Sequence, residues 1–231
     1  MKLYKHFNKE EYIQPWLDGI FTWTQLSLLI CGEQDHRIDP WEGGVIQQIL
    51  PSDKMIFRDY NNFDLLTCTD KQYGIRQSIR PEKAKFIYIA SFSTTTNDRL
   101  TKDFGEYVLE CDFTNFDFGN RVTHKKVVYD DFNCESGAFM NPSNNFIEKS
   151  DLKKLFTKHS DYQWQYEYRF VMTLNPLRLQ IYCPLLYSSI SDNKDDCKYL
   201  QMMIENDRGE NLSTNTTITI KKPNNNATQT L

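Results

Sequence analysis

The amino-acid sequence predicts a mixed α+β fold, with a β-rich core of two packed sheets and flanking helices. Aromatic residues make up 14% of the chain, and such residues favour strands and flat, stacked surfaces. The clearest strands are AKFIYIASFS (84–93), rich in β-branched and aromatic residues, and GEYVLECDF (105–113), which alternates apolar and polar side chains. KSDLKKLFTKHSDY (149–162) instead has apolar residues on one face of a helix.

The N-terminal residues predict short elements separated by turns. MKLYK (1–5) is a first strand, and a short helix follows that Asn8 caps and Gly19 ends. IFTWTQLSLL (20–29) alternates apolar and polar residues, which predicts a strand that runs into a loop. VIQQIL (45–50) suits either a helix or a strand.

Later segments add further strands. Between the two clearest strands, TTTNDRLTKDF (94–104) is predicted to be a polar loop. HKKVVYD (124–130) and WQYEYRFVMTL (164–174) are predicted strands, and RLQIYCPLL (178–186) is expected to pair near the second of them.

Composition divides the chain into two parts. Residues 1–190 are predicted to form a single α+β domain of the catalytic type, and residues 191–231 a polar C-terminal extension. The extension offers little apolar surface to offset the entropy cost of ordering it. Its segment TTITI (216–220) suits an additional edge strand.

Charge and cysteine usage exclude several classes of function. The net charge of −4 argues against stable nucleic-acid binding, which needs a basic surplus. The six cysteines form no C-x-x-C pair and lie at no zinc-ligand spacing from a histidine, so we expect free thiols, a cytoplasmic location and no metal site. The longest apolar run near the start, LSLLIC, is too short to cross a bilayer, so we expect no membrane partner.

The strand WQYEYRFV (164–171) carries the first candidate site. A charge inside a buried strand costs free energy unless it is paired or used. Strand alternation places two sets of side chains on opposite faces. The polar face carries Gln165, Glu167 and Arg169, and the aromatic face carries Trp164, Tyr166, Tyr168 and Phe170. The polar row indicates a strand that lines a cleft, or a surface strand with a Glu–Arg pair.

Hydroxyl groups at the end of a core strand form the second candidate. In IASFSTTTN (89–97), Ser91 and Ser93 share one face and Phe92 points to the core. Such hydroxyls can bind a neighbouring carboxylate or a ribose. A Ser/Thr-rich strand end that turns into a loop is the alternative interpretation.

The loop RIDPWEGG (37–44) is the third candidate. Its mixture of Arg37, carboxylates and a Trp suits a phosphate-bearing ligand. The same composition suits a polar turn whose side chains satisfy one another.

The order of five motifs resembles a widespread, poorly characterised bacterial family. Its members begin Leu-Tyr-Lys-Tyr, carry Asn-Asp-Pro-Phe-Glu and end the core with Trp-x-x-Glu-x-Glu-Tyr-Arg. The resemblance covers roughly residues 1–175. The matching motifs are LYK (3–5), DPWE (39–42), SFS (91–93), FGEYVLECDF (104–113) and WQYEYR (164–169).

The site pattern also resembles that of ADP-ribosyltransferases of the toxin and defence type. These enzymes use an N-terminal Arg or His, then a Ser-Thr-Ser-like strand, then a Glu preceded two residues earlier by Gln or Glu. The resemblance implies an ADP-ribosyltransferase-like fold and NAD-dependent transfer to a macromolecular acceptor, either protein or nucleic acid. It also implies an antitoxin or inhibitor protein as a further partner.

The resemblance implies roles for individual residues. Glu167 would stabilise the oxocarbenium-like ribose, and Gln165 would help to choose the nucleophile. The residues expected to contact NAD, the substrate, are Lys5, His6, Arg37, Ser91, Phe92 and Ser93. Alternation lets only one of Lys5 and His6 face the cleft.

Two other functions remain open at the level of sequence. The first is a binding module on the same scaffold without catalysis. The second is a carboxylate-based hydrolase or nuclease that uses Asp39, Glu42 and Glu167.

Overall fold

The structure is a computed structural model, and it describes residues 1–31, 43–49, 55–58, 64–68, 73–114, 122–129, 149–203 and 218–221. The strands are β1 (Lys2–Phe7), β2 (Ile20–Gln25), β3 (Gly44–Ile49), β4 (Met55–Arg58), β5 (Asp64–Cys68), β6 (Tyr73–Ser78), β7 (Ile87–Ser93), β8 (Tyr107–Asp112), β9 (Val122–Lys126), β10 (Val128–Tyr129), β11 (Thr157–Lys158), β12 (Glu167–Thr173), β13 (Tyr199–Met203) and β14 (Ile218–Lys221). The α-helices are α1 (Gln14–Leu17), α2 (Leu26–Cys31), α3 (Pro81–Ala84), α4 (Asp98–Phe104), α5 (Lys149–Leu155), α6 (Pro176–Tyr182) and α7 (Pro184–Ser191). Short 3-10 helices cover Glu10–Tyr12, Ser160–Gln165 and Asp195–Cys197.

The predicted mixed fold with a dominant β content is confirmed. Eight strands form one curled antiparallel sheet, in the order β13-β2-β7-β1-β8-β14, with β12 paired to β7 and β9 paired to β12. Three two-stranded sheets accompany it: β3-β6 and β4-β5 are antiparallel, and β10-β11 is parallel. Over the described part of the chain, a single large sheet therefore takes the place of the two packed sheets that the sequence predicts.

Strand β7 is the branch point of the large sheet. Strand β12 pairs with it along its whole length, from Glu167 opposite Ser93 to Thr173 opposite Ile87. The other edge is shared: β2 pairs near Ile89 and β1 pairs at Ser93. Two strands therefore separate from each other along one edge of β7.

Both faces of β7 are buried. Phe92 lies on one face and makes edge-to-face contacts with Trp16, Phe113 and Phe170, at centroid distances of 5.5, 5.5 and 5.2 Å. Such pairs add to the free energy of area burial. On the opposite face, Ile87 and its neighbours pack with α2, α3 and α5 in a second cluster. Its fully buried members are Leu26, Ile79, Ala84, Ile87, Ile89, Leu155, Phe156 and Val171.

Several predicted elements are wrong: the loop expected after the strand at 20–25 is helix α2, the helix expected over 149–162 ends at Leu155, and helix capping explains two further differences. The polar segment after Ser93 contains α4, because the Asn97 side chain accepts a hydrogen bond from the Leu100 N–H. The predicted strand RLQIYCPLL is instead α6 and α7, with Asn175 capping α6 and a proline in the first turn of each helix. Asn8 caps no helix, since the first 3-10 turn follows Lys9 without a side-chain cap.

Two strands come from the segment that the sequence assigns to a polar extension. Strand β13 pairs with β2 from Tyr199 opposite Thr24 onward. Strand β14 pairs with β8 and contains most of TTITI. The segment after residue 190 thus contributes backbone pairing at both ends of the main strand order.

Among the described residues, no helix combines the length and the apolar composition that crossing a membrane requires.

Gly105, which ends α4, provides a test of this packing. Its φ is +116°, and a Cβ atom there would lie 2.1 Å from the Phe7 carbonyl oxygen in β1. We expect Gly105→Ala to lower the free energy of unfolding by about 3 kcal/mol or more, because backbone must shift. Urea denaturation measures the loss.

Gly43→Ala is the matched control. Gly43 also has positive φ, +64°, but its added Cβ would meet only side chains at 3.4–3.5 Å. We expect a loss of about 1–2 kcal/mol there, from backbone strain alone. Equal losses at the two glycines would contradict the close approach of α4 to β1.

Candidate functional site

A buried carboxylate, that of Glu167, lies at the start of β12. The residue is 4% exposed. Its Oε1 accepts hydrogen bonds from Ser91 Oγ at 2.5 Å and from Arg169 Nε at 2.6 Å. Its Oε2 accepts from Arg169 Nη2 at 3.2 Å and lies 2.9 Å from Lys158 Nζ. Four donors thus surround a carboxylate that has about four acceptor positions.

Arg169 fixes this carboxylate from the same strand. It is 1% exposed, and alternation places it two residues beyond Glu167 on the same face. Its Nη1 donates to the Leu155 carbonyl oxygen at 2.6 Å, at the end of α5. The guanidinium therefore links β12 to α5 while it binds Glu167 with two nitrogens.

Lys158 is the functional residue that sequence reasoning missed. Its Nζ donates to Gln165 Oε1 at 2.8 Å and pairs with Glu167. Lys158 lies in β11, which pairs with β10 so that Tyr129 stands opposite it. The Tyr129 hydroxyl in turn accepts from the Glu167 N–H at 2.8 Å. No motif marks Lys158, because a lysine in a predicted amphipathic helix usually faces solvent.

Neighbouring charges determine the ionisation state of the Glu167 carboxyl group. Burial alone would raise the pKa of its carboxyl group, but the charges of Arg169 and Lys158 and the hydrogen bonds from Arg169 and Ser91 outweigh burial. They hold the pKa far below the usual range, so the group is ionised at neutral pH. Breaking such a buried pair typically costs about 3–5 kcal/mol, because an uncompensated charge remains.

Gln165 reaches the site from outside the strand. The predicted strand from Trp164 is wrong at its beginning: Ser160–Gln165 is a 3-10 helix, and β12 begins at Glu167. Gln165 is nevertheless buried next to Glu167, held by Lys158 and by the bond from Ser93 Oγ to its carbonyl oxygen at 2.8 Å. Strand alternation therefore does not explain its position.

The register of β7 decides how the serines and Phe92 lie. Ser93 stands opposite Glu167, and Ser91 opposite Arg169, so both serines share the face of the carboxylate. Phe92 projects to the other face, where it is buried in the aromatic core. The structure thus brings Ser91 and Ser93 to Glu167 and places Phe92 away from them.

Lys5 and His6 lie on opposite faces of β1. Tyr4 pairs with Ser93, which puts His6 on the Glu167 face and Lys5 on the Phe92 face. Lys5 Nζ donates to the Ser91 carbonyl oxygen at 2.7 Å, where β1 and β2 separate along β7. It lies 5.4 Å and 5.6 Å from the ring centroids of Trp16 and Phe92. Burial lowers the pKa of Lys5 to about 8.

His6 offers an open acceptor. Its Nδ1 lies 3.1 Å from the Gly105 carbonyl oxygen, so Nδ1 carries the proton that this bond requires. Its Nε2 is buried, and none of the described residues provides a hydrogen-bond partner for it. Burial also lowers the pKa of His6, which favours the neutral ring.

The remaining candidates cannot be placed. Arg37, Asp39 and Glu42 lie outside the described residues. Within the described part, no three His, Cys, Asp or Glu side chains are grouped so that they could hold a metal ion.

Tyr166, between Gln165 and Glu167, has a left-handed backbone with φ 47° and ψ 43°. This conformation costs a residue with a side chain about 1–2 kcal/mol. The residue is 42% exposed. We expect Tyr166→Gly to raise the free energy of unfolding by about 1 kcal/mol, since relief of strain exceeds the entropy cost of glycine. Urea denaturation measures the change.

Tyr12→Gly is the control for Tyr166. Tyr12 is similarly exposed, at 47%, but has negative φ. Its replacement removes contacts without relieving strain, so we expect a lower stability. If both variants lose stability equally, the strain at Tyr166 is refuted.

Lys5 gives the stability a dependence on alkaline pH. Its pKa is about 8 in the folded chain and 10.5 ordinarily, so the unfolded chain holds more protons between these values. The free energy of unfolding therefore rises with pH through this window, by about 3 kcal/mol at most. We expect Lys5→Met to lack this rise. Denaturation of both proteins at neutral and alkaline pH tests it, and a constant difference between them would contradict it.

Comparison with known proteins leaves the site without a template. The chain matches no protein-family model, no curated protein and no solved structure. The functional argument therefore depends on the geometry around Glu167.

Proposed function

We propose that the chain is an NAD-dependent ADP-ribosyltransferase of the toxin or defence type, which modifies a macromolecular acceptor. One observation carries the proposal: Ser91 Oγ donates to Glu167 Oε1 at 2.5 Å, on neighbouring strands β7 and β12. Strand β1, with His6 on the same face, pairs with the opposite edge of β7 at Ser93. Three distant motifs of the resemblance thus lie on three adjacent strands.

The reaction would proceed by displacement at the ribose. The bond between nicotinamide and ribose C1′ breaks, and nicotinamide leaves with the electron pair. The acceptor nucleophile bonds to C1′ and loses a proton. The Glu167 carboxylate opposes the positive charge that develops on the ribose, and the hydroxyl of Ser91 orients this carboxylate.

Other side chains suit the binding of NAD. The unpartnered His6 Nε2 is an acceptor for a ribose hydroxyl or for the nicotinamide amide. Two cationic side chains, Lys158 and Arg169, lie beside Glu167, and such groups suit the binding of an anionic diphosphate. Glu167 can receive the ribose only when one of its four donors turns away. Lys158, which Glu167 shares with Gln165, is suited to do so.

A second candidate is a binding module without catalysis. The complete set of donors around Glu167 and its burial favour this alternative. In that case the carboxylate only joins β7, β11 and β12.

The first test is incubation of the chain with labelled NAD and cell extract. We expect label on a macromolecule, and a loss of NAD consumption in Glu167→Gln on the order of 10²–10³. Because this change also breaks buried pairs, Ser91→Ala is measured as well. It keeps both ion pairs, and we expect a fall in rate on the order of tenfold.

Tyr129→Phe is the structural control. It leaves the buried Glu167 N–H without its partner and costs about 1–3 kcal/mol, but does not touch the carboxylate. We expect near-normal turnover below its unfolding temperature. If the unaltered chain consumes no NAD with any extract, or if the Glu167 and Tyr129 variants lose rate equally, the binding module is the better account.

A further inference from the structure

Helices α6 and α7 present large apolar side chains to solvent. The four residues are between 70% and 85% exposed. We call them the α6/α7 face: Leu177, Ile181, Tyr182 and Leu185. Leu177 and Ile181 are one helical turn apart and lie on the same side of α6. Only Cys183 separates the two helices, so the exposed side chains of Tyr182 and Leu185 lie next to the junction between them.

The opposite side of these helices is firmly packed. Leu179, Leu186 and Tyr187 pack on a buried cluster that contains Phe86 and Ile190. The rings of Phe86 and Tyr187 stack with centroids 5.9 Å apart. The helix pair therefore cannot turn over to bury its exposed side chains without losing this cluster.

The α6/α7 face has the area of a functional apolar patch. Four such side chains expose on the order of 500 Å² of mostly apolar surface, at about 150–250 Å² for a whole large side chain. A monomer whose patch reaches this size usually uses it. A standard interface needs about 800 Å² from each partner, so this face supplies more than half.

The low charge of helices α6 and α7 indicates which kind of partner binds the α6/α7 face. Residues 176–191 contain one charged side chain, Arg178. A surface helix that binds anionic membranes is rich in Lys and Arg on its polar face, which this pair of helices is not. A nearly neutral apolar face is instead compatible with an identical face, since a charged one would repel its own copy.

We propose that the α6/α7 face is the self-complementary interface of a homodimer, in which two copies pack these helices about a two-fold axis. In this dimer, the junction between α6 and α7 at Cys183 of one copy lies opposite the same junction of the other copy, near the two-fold axis. The proposal is independent of any activity at Glu167.

The test is sedimentation of the full chain over a broad concentration series. We expect a monomer–dimer equilibrium, and Leu177→Glu with Ile181→Glu should weaken it by about a hundredfold or more, because like charges then oppose each other. Tyr12→Glu, at an exposed apolar residue elsewhere, should leave the dimer intact. Circular dichroism confirms that all variants are folded.

Cysteine cross-linking locates the interface. Cys183 is exposed, and a short bismaleimide should join two chains. The product should be lost in Cys183→Ser. A monomer at every concentration overturns the proposal, as does a dimer that the double variant leaves unchanged. Binding of the monomer to anionic vesicles that the double variant abolishes would assign the face to membranes and overturn it too.

Discussion

The buried ion pairs of Glu167 are the interaction on which the rest of the structure depends. This one carboxylate accepts a hydrogen bond from Ser91 in β7 and forms ion pairs with Arg169 in β12 and Lys158 in β11. Arg169 carries the connection on to the end of α5. In a low-dielectric interior each charge requires the others, so these elements hold a fixed relative position. The same network that would orient a catalytic carboxylate also fixes the architecture around it.

The branching of the sheet at β7 sets where a ligand can approach. Strands β1 and β2 separate along one edge of β7. At this point the Lys5 ammonium donates a hydrogen bond to the carbonyl oxygen of Ser91. A lysine replaces a backbone donor at this point, which explains why a charged residue is tolerated beside Trp16 and Phe92. The Glu167 face and the Lys5 face of the sheet are thereby connected through a single residue of β7.

Local pattern predicted the parts of the fold that local chemistry determines. Alternation located β7 and β8, and it grouped Glu167 with Arg169 on one face. It failed at Tyr166, because a left-handed residue interrupts the strand and no glycine marks the place. It also missed α4, where an Asn cap in a polar segment outweighs the lack of apolar residues. Lys158 could not be predicted, since its partners Gln165 and Glu167 lie at the end of, and just after, a 3-10 helix that the sequence pattern did not reveal.

The pairing of β14 with β8 has a consequence for how the chain is made. Strand β8 pairs on one side with β1, which is synthesised early, and on the other with β14, which follows nearly all of the described residues. Until β14 leaves the ribosome, β8 presents an unpaired edge of backbone groups to other chains. The nascent protein therefore passes through a long interval in which strand exchange with a neighbouring copy competes with completion of its own sheet.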